Sequence, residues 1–209
     1  MARLTNSLKN GMRDYWRASR WHKIWLGLAA VLVLWVGIMY GIAQWYIHTE
    51  ANKPEKVGVS FIPYYAESLG VDPQQAMDGL LDIGVRHFRL VSYWNAGEPQ
   101  PGQYDFSTLD WQFKKAEQAH AKVSLSLGLR QPRWPECHLP DWARQQSQQQ
   151  WQTELQQYIQ AVIERYKDSP ALDSYQLENE YFLKGFGNCE EIPGAMDRQR
   201  LIAEYNIVS

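Results

Sequence analysis

The residues best placed to do chemistry are Asn179 and Glu180, within the stretch from Ser174 to Tyr181. Residues 174–181 read SYQLENEY, the pattern of a strand that ends in an Asn-Glu pair. In proteins with parallel sheets, sites are built at the carboxyl ends of the strands. A carboxyl group held there and partly desolvated can serve as a general acid, because desolvation raises its pKa. The neighbouring amide can hydrogen-bond a substrate hydroxyl. The alternative interpretation is an exposed acidic loop.

Residues 57–209 alternate between strand-like and helix-like patterns, which predicts a parallel sheet. We expect strands at 57–62, 85–91, 122–127 and 172–177. We expect helices at 73–84 after an Asp72 cap, from a Ser107 cap to about His120, at 148–166, and from about Gly194. The loops after strands two to four are long and rich in Trp, Pro, Glu and His, which favours a (β/α) barrel. An open doubly wound sheet is the alternative, although residues 63–67 lack its Gly-rich phosphate turn.

The amino-terminal segment predicts a membrane anchor. Residues 1–23 carry six Lys and Arg against one acid, and residues 24–43 are almost wholly apolar and uncharged. Such a stretch has the ~20 residues that a helix needs to cross a bilayer, and Trp and Tyr flank it as interfacial residues do. The basic bias predicts a cytoplasmic tail (1–23), one transmembrane helix (24–47), a linker (48–56) and an extracytoplasmic domain (57–209).

Two alternatives exist for the apolar stretch. A cleaved signal peptide usually has a shorter apolar region of ~7–15 residues followed by a small-x-small site. A buried core helix would show a polar face, and no polar residue interrupts this run. Both features favour a retained single-pass anchor in the cell membrane.

Composition excludes several functional classes. The chain has 209 residues and a net charge of −2, so no overall basic charge suggests a nucleic-acid partner. Its two Cys are too few for a disulfide-dense scaffold or a four-Cys zinc site. Its five His show no H-E-x-x-H spacing, and no cofactor motif is visible. We therefore expect no metal site and no cofactor.

Three blocks of the sequence resemble the clan A glycoside hydrolases, which are (β/α)8 barrels. The first block is Arg89 at the end of the second strand, the second is YWNAGEPQPGQYDF at 93–106, and the third is QLENEY at 176–181. The second and third blocks look most like the β-galactosidase-type families, although cellulase-like families share the Asn-Glu pair. The resemblance covers about residues 57 to 205 and implies a carbohydrate substrate.

The resemblance also implies roles for individual residues. Glu180 corresponds to the general acid/base, and Asn179 to the residue that contacts the sugar hydroxyl beside the anomeric carbon. Arg89 corresponds to the residue that orients the nucleophile, with a structural ion pair as its alternative. Trp94 and Asn95 would line the sugar subsites, with loop packing as their alternative.

The resemblance implies a second carboxylate that the sequence does not contain. Retaining glycosidases need two carboxylates ~5–5.5 Å apart, and the clan's nucleophile ends the seventh strand. A full barrel takes ~250 residues, whereas residues 57–209 supply about four βα units. We therefore expect an amino-terminal half barrel, with an apolar inner face open to water, that does not hydrolyse glycosides alone. The alternative is a non-catalytic carbohydrate-binding module, or a half barrel that pairs with itself or with a separate second half.

The loops after the third and fourth strands hold the two cysteines, Cys137 and Cys189. Neighbouring barrel loops approach one another at that edge, and a disulfide is stable outside the cytoplasm. We expect these residues to form a disulfide, with two buried free thiols as the alternative. Trp134, His138 and Trp142 follow the third strand and are expected to shape the cleft.

Overall fold

The computed structural model describes residues 20–51, 53 and 56–209. Within the whole chain, two compact units are distinguished, Met1–Glu55 and Lys56–Ser209.

The described part of the first unit is one helix, α1 (Arg20–Glu50), of 31 residues. Its apolar side chains are exposed. At 1.5 Å per residue such a helix exceeds the ~30 Å thickness of a bilayer core. Among the described residues, α1 is the one helix long and apolar enough to cross a membrane, a property that anchors and signal sequences share. Because α1 reaches Glu50, it takes in the start of the predicted linker, whereas residues 1–19 of the predicted tail lie outside the described residues.

The second unit contains the predicted parallel sheet. Its four strands are β1 (Gly58–Ser60), β2 (His87–Val91), β3 (Lys122–Leu127) and β4 (Leu172–Leu177). All three pairings are parallel, and the spatial order β1-β2-β3-β4 follows the chain. Consecutive order is that of a (β/α) barrel, whereas a doubly wound sheet reverses its order partway. The predicted α/β fold with four parallel strands is therefore confirmed.

Six helices accompany the strands: α2 (Pro63–Ser68), α3 (Pro73–Asp82), α4 (Trp94–Gly97), α5 (Ser107–Gln118), α6 (Gln148–Tyr166) and α7 (Arg198–Val208). Two 3-10 helices, Ala143–Gln145 and Cys189–Glu191, lie in the loops. Asp72 caps α3 as predicted, and Ser147 forms a capping box with Gln150 at the start of α6. Ser107 is the first residue of α5 rather than its cap, and its backbone N–H donates to the side chain of Asp105.

The core lies between the sheet and the helices. Phe88 and Leu90 of β2 and Val123, Leu125 and Leu127 of β3 are buried on the helix-facing side of the sheet. They belong to one cluster with residues of α5 and α6: Leu109, Phe113, Ala116, Trp151, Leu155, Ile159 and Val162. Alternation along each strand points every second residue to the opposite face.

The opposite face, which would be the interior of a closed barrel, is polar or small rather than apolar as expected. Arg89 pairs in register with Ser60 on one side and Ser124 on the other, and Ser124 pairs with Ser174. This face lines a shallow cavity of about 260 Å³. β4 is only partly buried, because it is an edge strand of the described sheet.

Candidate active site

The chain turns sharply where β4 ends, and this turn sets the directions of three consecutive polar side chains. Glu178 and Glu180 both have left-handed backbones, with φ of 60° and 48°. Such values are uncommon for residues other than glycine, and they concentrate at functional sites. The Asn179 N–H donates to the Arg130 carbonyl at 2.8 Å, and the Leu183 N–H donates to the Glu180 carbonyl at 2.8 Å.

Glu178 is a buried structural clamp. Its carboxylate accepts hydrogen bonds from the backbone N–H groups of Leu129 (2.7 Å) and Arg130 (2.8 Å), and from the Arg200 side chain at 2.7 Å. A Cβ at Gly128, where φ is 112°, would lie 2.4 Å from this carboxylate, so glycine is required there. The clamp ties the loop after β3 and helix α7 to the end of β4.

Arg200 also binds Glu204, so one buried guanidinium group contacts two buried carboxyl groups. Burial raises the pKa of Glu204 to about 8, against the lowering effect of Arg200. Burial alone would lower the pKa of Arg200, but Glu178 and Glu204 together hold that pKa above its ordinary value. Sequence reasoning missed this group, whose only local signal is the i,i+4 spacing of Arg200 and Glu204.

Arg89 and Asn179 meet on the open face of the sheet, where the Arg89 Nη2 donates to Asn179 Oδ1 at 2.9 Å. Burial lowers the pKa of Arg89, whereas Tyr93 and the negative charge of Glu180 raise it. The structure thus brings together Arg89, Asn179 and Glu180, three of the predicted site residues. Glu180 is exposed, so the partial desolvation expected of a general acid is not supplied by the described half of the barrel.

Glu136 is a second carboxyl group near Glu180, and sequence reasoning missed it. It is 5% exposed, and its Oε2 lies 3.7 Å from Arg130 Nε. Burial raises the pKa of Glu136, and the charge of Glu180 adds to that rise, whereas Arg130 and a side-chain interaction with Asn179 lower it. Asn179 thus accepts a hydrogen bond from Arg89 and lies near Glu136.

The loops after β3 and β4 are joined covalently. Cys137 and Cys189 form a disulfide with an S–S distance of 2.06 Å and a Cα–Cα distance of 5.2 Å. Asn188 reinforces the link, because its side chain accepts from the Cys137 N–H at 3.0 Å and donates to the Cys137 carbonyl at 3.1 Å. Of the two alternatives for the cysteines, the structure contains the disulfide.

The other predicted cleft residues are divided between core and surface. Trp94 is fully buried and donates to Glu98 at 2.6 Å, so its ring offers no surface to a sugar. Asn95 is exposed and lines a cavity of about 310 Å³ with His138 and Trp142. This packing follows from helix α4, which turns Trp94 inward and Asn95 outward.

His138 and Trp142 support loops. His138 is buried, which lowers its pKa to about 4, and its ring lies 4.3 Å from that of Tyr93. Trp142 is half-buried and donates to the Glu98 carbonyl at 2.9 Å. Trp134, by contrast, is 70% exposed. Across residues 20–51, 53 and 56–209, no group of three or more His, Cys, Asp or Glu could hold a metal ion.

Solved structures with a similar fold include a mannosidase and two GH5_18 proteins. The exo-β-1,4-mannosidase Op5Man5 from Opitutaceae bacterium strain TAV5 is 16% identical with a TM-score of 0.51, over 72% of this chain and 29% of that one. The GH5_18 protein from Bifidobacterium longum is 14% identical with a TM-score of 0.53, over 75% of this chain and 40% of that one. The GH5_18 protein from Streptomyces cattleya is 16% identical with a TM-score of 0.52, over 75% and 42%. At these identities the similarity shows the fold alone.

The chain corresponds to only part of each of these structures. The chain spans less than half the length of each of these structures. No curated protein sequence matches the chain. The sequence profile of glycoside hydrolase family 42, described as β-galactosidase, matches residues 72–198, which are more than half of the chain. The matched stretch contains the Arg89, Asn179 and Glu180 group, both cysteines and all but the first strand, and the chain belongs to glycoside hydrolase family 42.

Proposed function

We propose that residues 56–209 supply the acid/base half of a retaining glycoside hydrolase that acts on β-galactosides. The observation that carries the proposal is the group formed by Arg89, Asn179 and Glu180 at the carboxyl edge of the sheet. These residues occupy the positions that the clan resemblance assigns to the acid/base and its neighbours.

In the proposed reaction, Glu180 first acts as an acid. It donates its proton to the glycosidic oxygen while a nucleophilic carboxylate forms a bond to the anomeric carbon, and the leaving sugar departs as an alcohol. Glu180, now a carboxylate, then takes a proton from water, whose oxygen displaces the nucleophile and releases the free sugar. Asn179, whose Oδ1 accepts a hydrogen bond from Arg89, would hydrogen-bond the hydroxyl beside the anomeric carbon.

The nucleophile has to come from outside the described half barrel. Two other carboxyl groups of the described residues lie close to Glu180, and both are buried. Glu178 is bound by Arg200 and Glu136 faces Arg130, so neither is free to act as the nucleophile. We infer that further strands bring a carboxylate to the open face beside Arg89. Closing the barrel would also supply the desolvation that Glu180 lacks here.

Helix α1 would hold this domain at a membrane. Its length and apolar composition suit a span, and the Cys137–Cys189 disulfide suits an extracytoplasmic location. Mass spectrometry of the amino-terminal peptide from isolated membranes tests this proposal. A peptide beginning at Met1 or Ala2 supports a retained anchor, whereas a mature terminus beyond residue 47 shows a cleaved signal sequence.

The catalytic proposal is tested with Glu180→Gln in the protein purified from the membranes of its source cell. We expect kcat/KM for lactose to fall about 10²–10⁴-fold. The fall should be smaller for 2,4-dinitrophenyl β-galactoside, because this leaving group departs without protonation. Azide should restore turnover of the nitrophenyl substrate, since azide attacks without a general base.

The matched control is Glu191→Gln, which removes an exposed carboxylate from the same loop. It should leave both substrates unaffected. Equal losses for the two substrates in Glu180→Gln, without azide rescue, would contradict an acid/base role for Glu180.

A further inference from the structure

The loop after β3 holds a buried carboxyl group, that of Glu136, near the turn that carries Glu180. Glu136 is 5% exposed, and Arg130, which it faces, is 1% exposed. Glu136 has a left-handed backbone with φ of 78°, and its N–H donates to the carbonyl of Arg133, whose φ is 83°. Non-glycine residues are strained in this region, and such strain concentrates at functional sites. The loop therefore holds this carboxyl group in place against backbone strain.

Arg130 connects this loop to the turn that carries Glu180. Its backbone carbonyl accepts from the Asn179 N–H at 2.8 Å, and its Nη1 donates to the Leu183 carbonyl at 2.6 Å. The Leu183 N–H in turn donates to the Glu180 carbonyl at 2.8 Å. Arg130 thus holds both ends of the turn formed by residues 179–183, and Glu180 lies between these two points.

The segment after this turn packs directly on Glu136. A Cβ at Gly187, where φ is 74°, would lie 2.7 Å from the Glu136 side chain and 2.7 Å from the Pro135 carbonyl, so glycine is required there. The Asn188 N–H donates to the same carbonyl at 3.1 Å. These contacts fix the stem of the Glu136 side chain against the loop after β4.

The Arg130–Glu136 pair differs from the Arg200 clamp. Its closest atoms, Arg130 Nε and Glu136 Oε2, are 3.7 Å apart, and neither atom has a hydrogen-bond partner among the described residues. In the clamp, by contrast, Arg200 lies 2.7 Å from Glu178. A buried ion pair without good hydrogen bonds offsets little of the desolvation of its charges. Stability of the fold alone therefore does not account for this pair.

Two charged groups act on Glu136: Arg130 from its own loop and Glu180 from the turn after β4. Burial raises the pKa of Glu136, Arg130 and the uncharged Asn179 lower it, and the charge of Glu180 raises it. The interaction between two carboxyl groups is mutual, since a negative charge on one favours the protonated form of the other. An ionised Glu136 beside Arg130 thus favours a protonated Glu180, the form that a general acid needs.

We propose that Glu136 is a positioning residue for the acid/base: with Arg130 it holds the turn that carries Glu180, and its charge keeps the proton on Glu180 until the glycosidic oxygen takes it. This proposal rests on the proposed function of Glu180. Glu136 does not touch the substrate in this role, because it is buried and faces Arg130. Once the leaving group has departed, the same charge makes the Glu180 carboxylate a stronger base toward water.

The test measures kcat/KM for lactose against pH in Glu136→Gln, in the protein purified from the membranes of its source cell. This variant removes the charge and keeps the size of the side chain. We expect the basic limb of the profile, where the general acid loses its proton, to move to lower pH by about one unit. At pH 7, kcat/KM for 2,4-dinitrophenyl β-galactoside should change less than about twofold, because this leaving group departs without protonation.

A matched pair of variants, Glu136→Asp and Glu136→Asn, separates charge from shape. The two side chains have the same size, and both Asp and Asn tolerate a left-handed backbone better than Gln does, so this pair serves if Glu136→Gln does not fold. We expect the basic limb to lie at higher pH in Glu136→Asp than in Glu136→Asn. The control is Glu191→Gln, which removes an exposed carboxylate and should leave the profile unchanged.

The proposal is overturned if the basic limb stays in place in Glu136→Gln, or if the Asp and Asn variants share one profile. Equal losses for lactose and the nitrophenyl substrate, with the limb in its wild-type position, would show that Glu136 only stabilises the loop.

The two proposals fail in distinguishable ways. If only the acid/base role is right, Glu180→Gln shows its selective loss and azide rescue while Glu136→Gln keeps the wild-type profile. If Glu180 is not the acid/base, Glu180→Gln shows equal losses for the two substrates and no azide rescue. A limb that moves in Glu136→Gln, beside a Glu180→Gln variant of normal activity, would mean that Glu136 acts through another acid, which also overturns the proposal.

Discussion

On β3, Ser124 and Leu125 are neighbours in the chain and belong to opposite faces of the sheet. Leu125 is fully buried under the helices, whereas Ser124 lines the open cavity beside Arg89. The same division is repeated at the end of β4, where Glu178 is 3% exposed and clamped by Arg200 while Glu180 is exposed. The comparison separates residues that hold the fold from residues that are free to act on a ligand.

The two faces also differ in how their charges are handled. Under the helices, Arg200 is surrounded by protein and bound by both Glu178 and Glu204. On the open face, Arg89 makes one hydrogen bond to Asn179 and keeps a buried Nε with no partner among the described residues. A cation with unused hydrogen-bonding capacity is suited to orient an additional carboxylate. The predictions below test whether stability depends on one face and function on the other.

The largest loss of stability is expected from Arg200→Met. Removing one partner of a buried ion pair typically costs about 3–5 kcal/mol, because the remaining charges stay buried and uncompensated. Arg198→Met, which changes an exposed Arg on the same helix, should alter stability by less than about 0.5 kcal/mol. Urea unfolding of the full chain in detergent micelles measures both. Similar losses for the two variants would show that the clamp does not stabilise this face.

Leu125→Ala should cost about 2–5 kcal/mol, since it leaves a cavity in the packed core. Ser124→Ala, one residue away on the open face, should change the free energy of unfolding by less than about 0.5 kcal/mol. The same urea experiment compares the pair. A large loss in Ser124→Ala would mean that the open face is covered in the native protein.

Glu204→Gln should stabilise the protein, and the gain should grow as the pH rises from about 4.5 to 8. The pKa of Glu204 is raised to about 8 in the folded state from an ordinary 4.5. Over this interval the folded protein binds more protons than the unfolded chain, so the wild type loses stability as the pH rises. A Gln side chain does not ionise, so the variant does not lose stability in this way. Urea unfolding at pH 5 and pH 8 measures the difference, and equal effects at both pH values would contradict the shift.

A small loss of stability is expected from Arg89→Met on the open face. One hydrogen bond to a half-buried partner contributes about 1 kcal/mol. The free energy of unfolding should therefore fall by much less than in Arg200→Met. Under the proposed function, the same variant should also lower kcat for lactose, because the nucleophile would lose its orienting cation. A loss of stability as large as that of Arg200→Met, with kcat unchanged, would favour the alternative of a structural ion pair.

Much of the fold was predictable because its signals are local. β3, β4 and α6 have the predicted bounds. The hydrophobic periodicity that indicates these elements depends only on residues near one another in the chain. The short helices α2 and α4 were not predicted. Each is a single turn or two in a loop, too short to show periodicity.

The site was predictable only in part. The proximity of Arg89, Asn179 and Glu180 was implied by the clan resemblance, and it agrees with the rule that parallel strands end at one edge. Trp94 and Glu136 could not be assigned in the same way. Whether a loop residue turns inward depends on partners that are distant in sequence, such as Trp142 and Tyr158 around Trp94.

The sequence by itself determined the alternation of strands and helices, the long apolar segment before the domain, and the placement of an Asn-Glu pair after β4. These features depend on residues near one another in the chain. Only the tertiary structure decided that Glu178 is a buried clamp while Glu180 is free, and that Trp134 is exposed while Trp94 is core. It did so because burial and charge pairing arise between segments such as β4 and α7, and no local pattern records which of two similar side chains will find a distant partner.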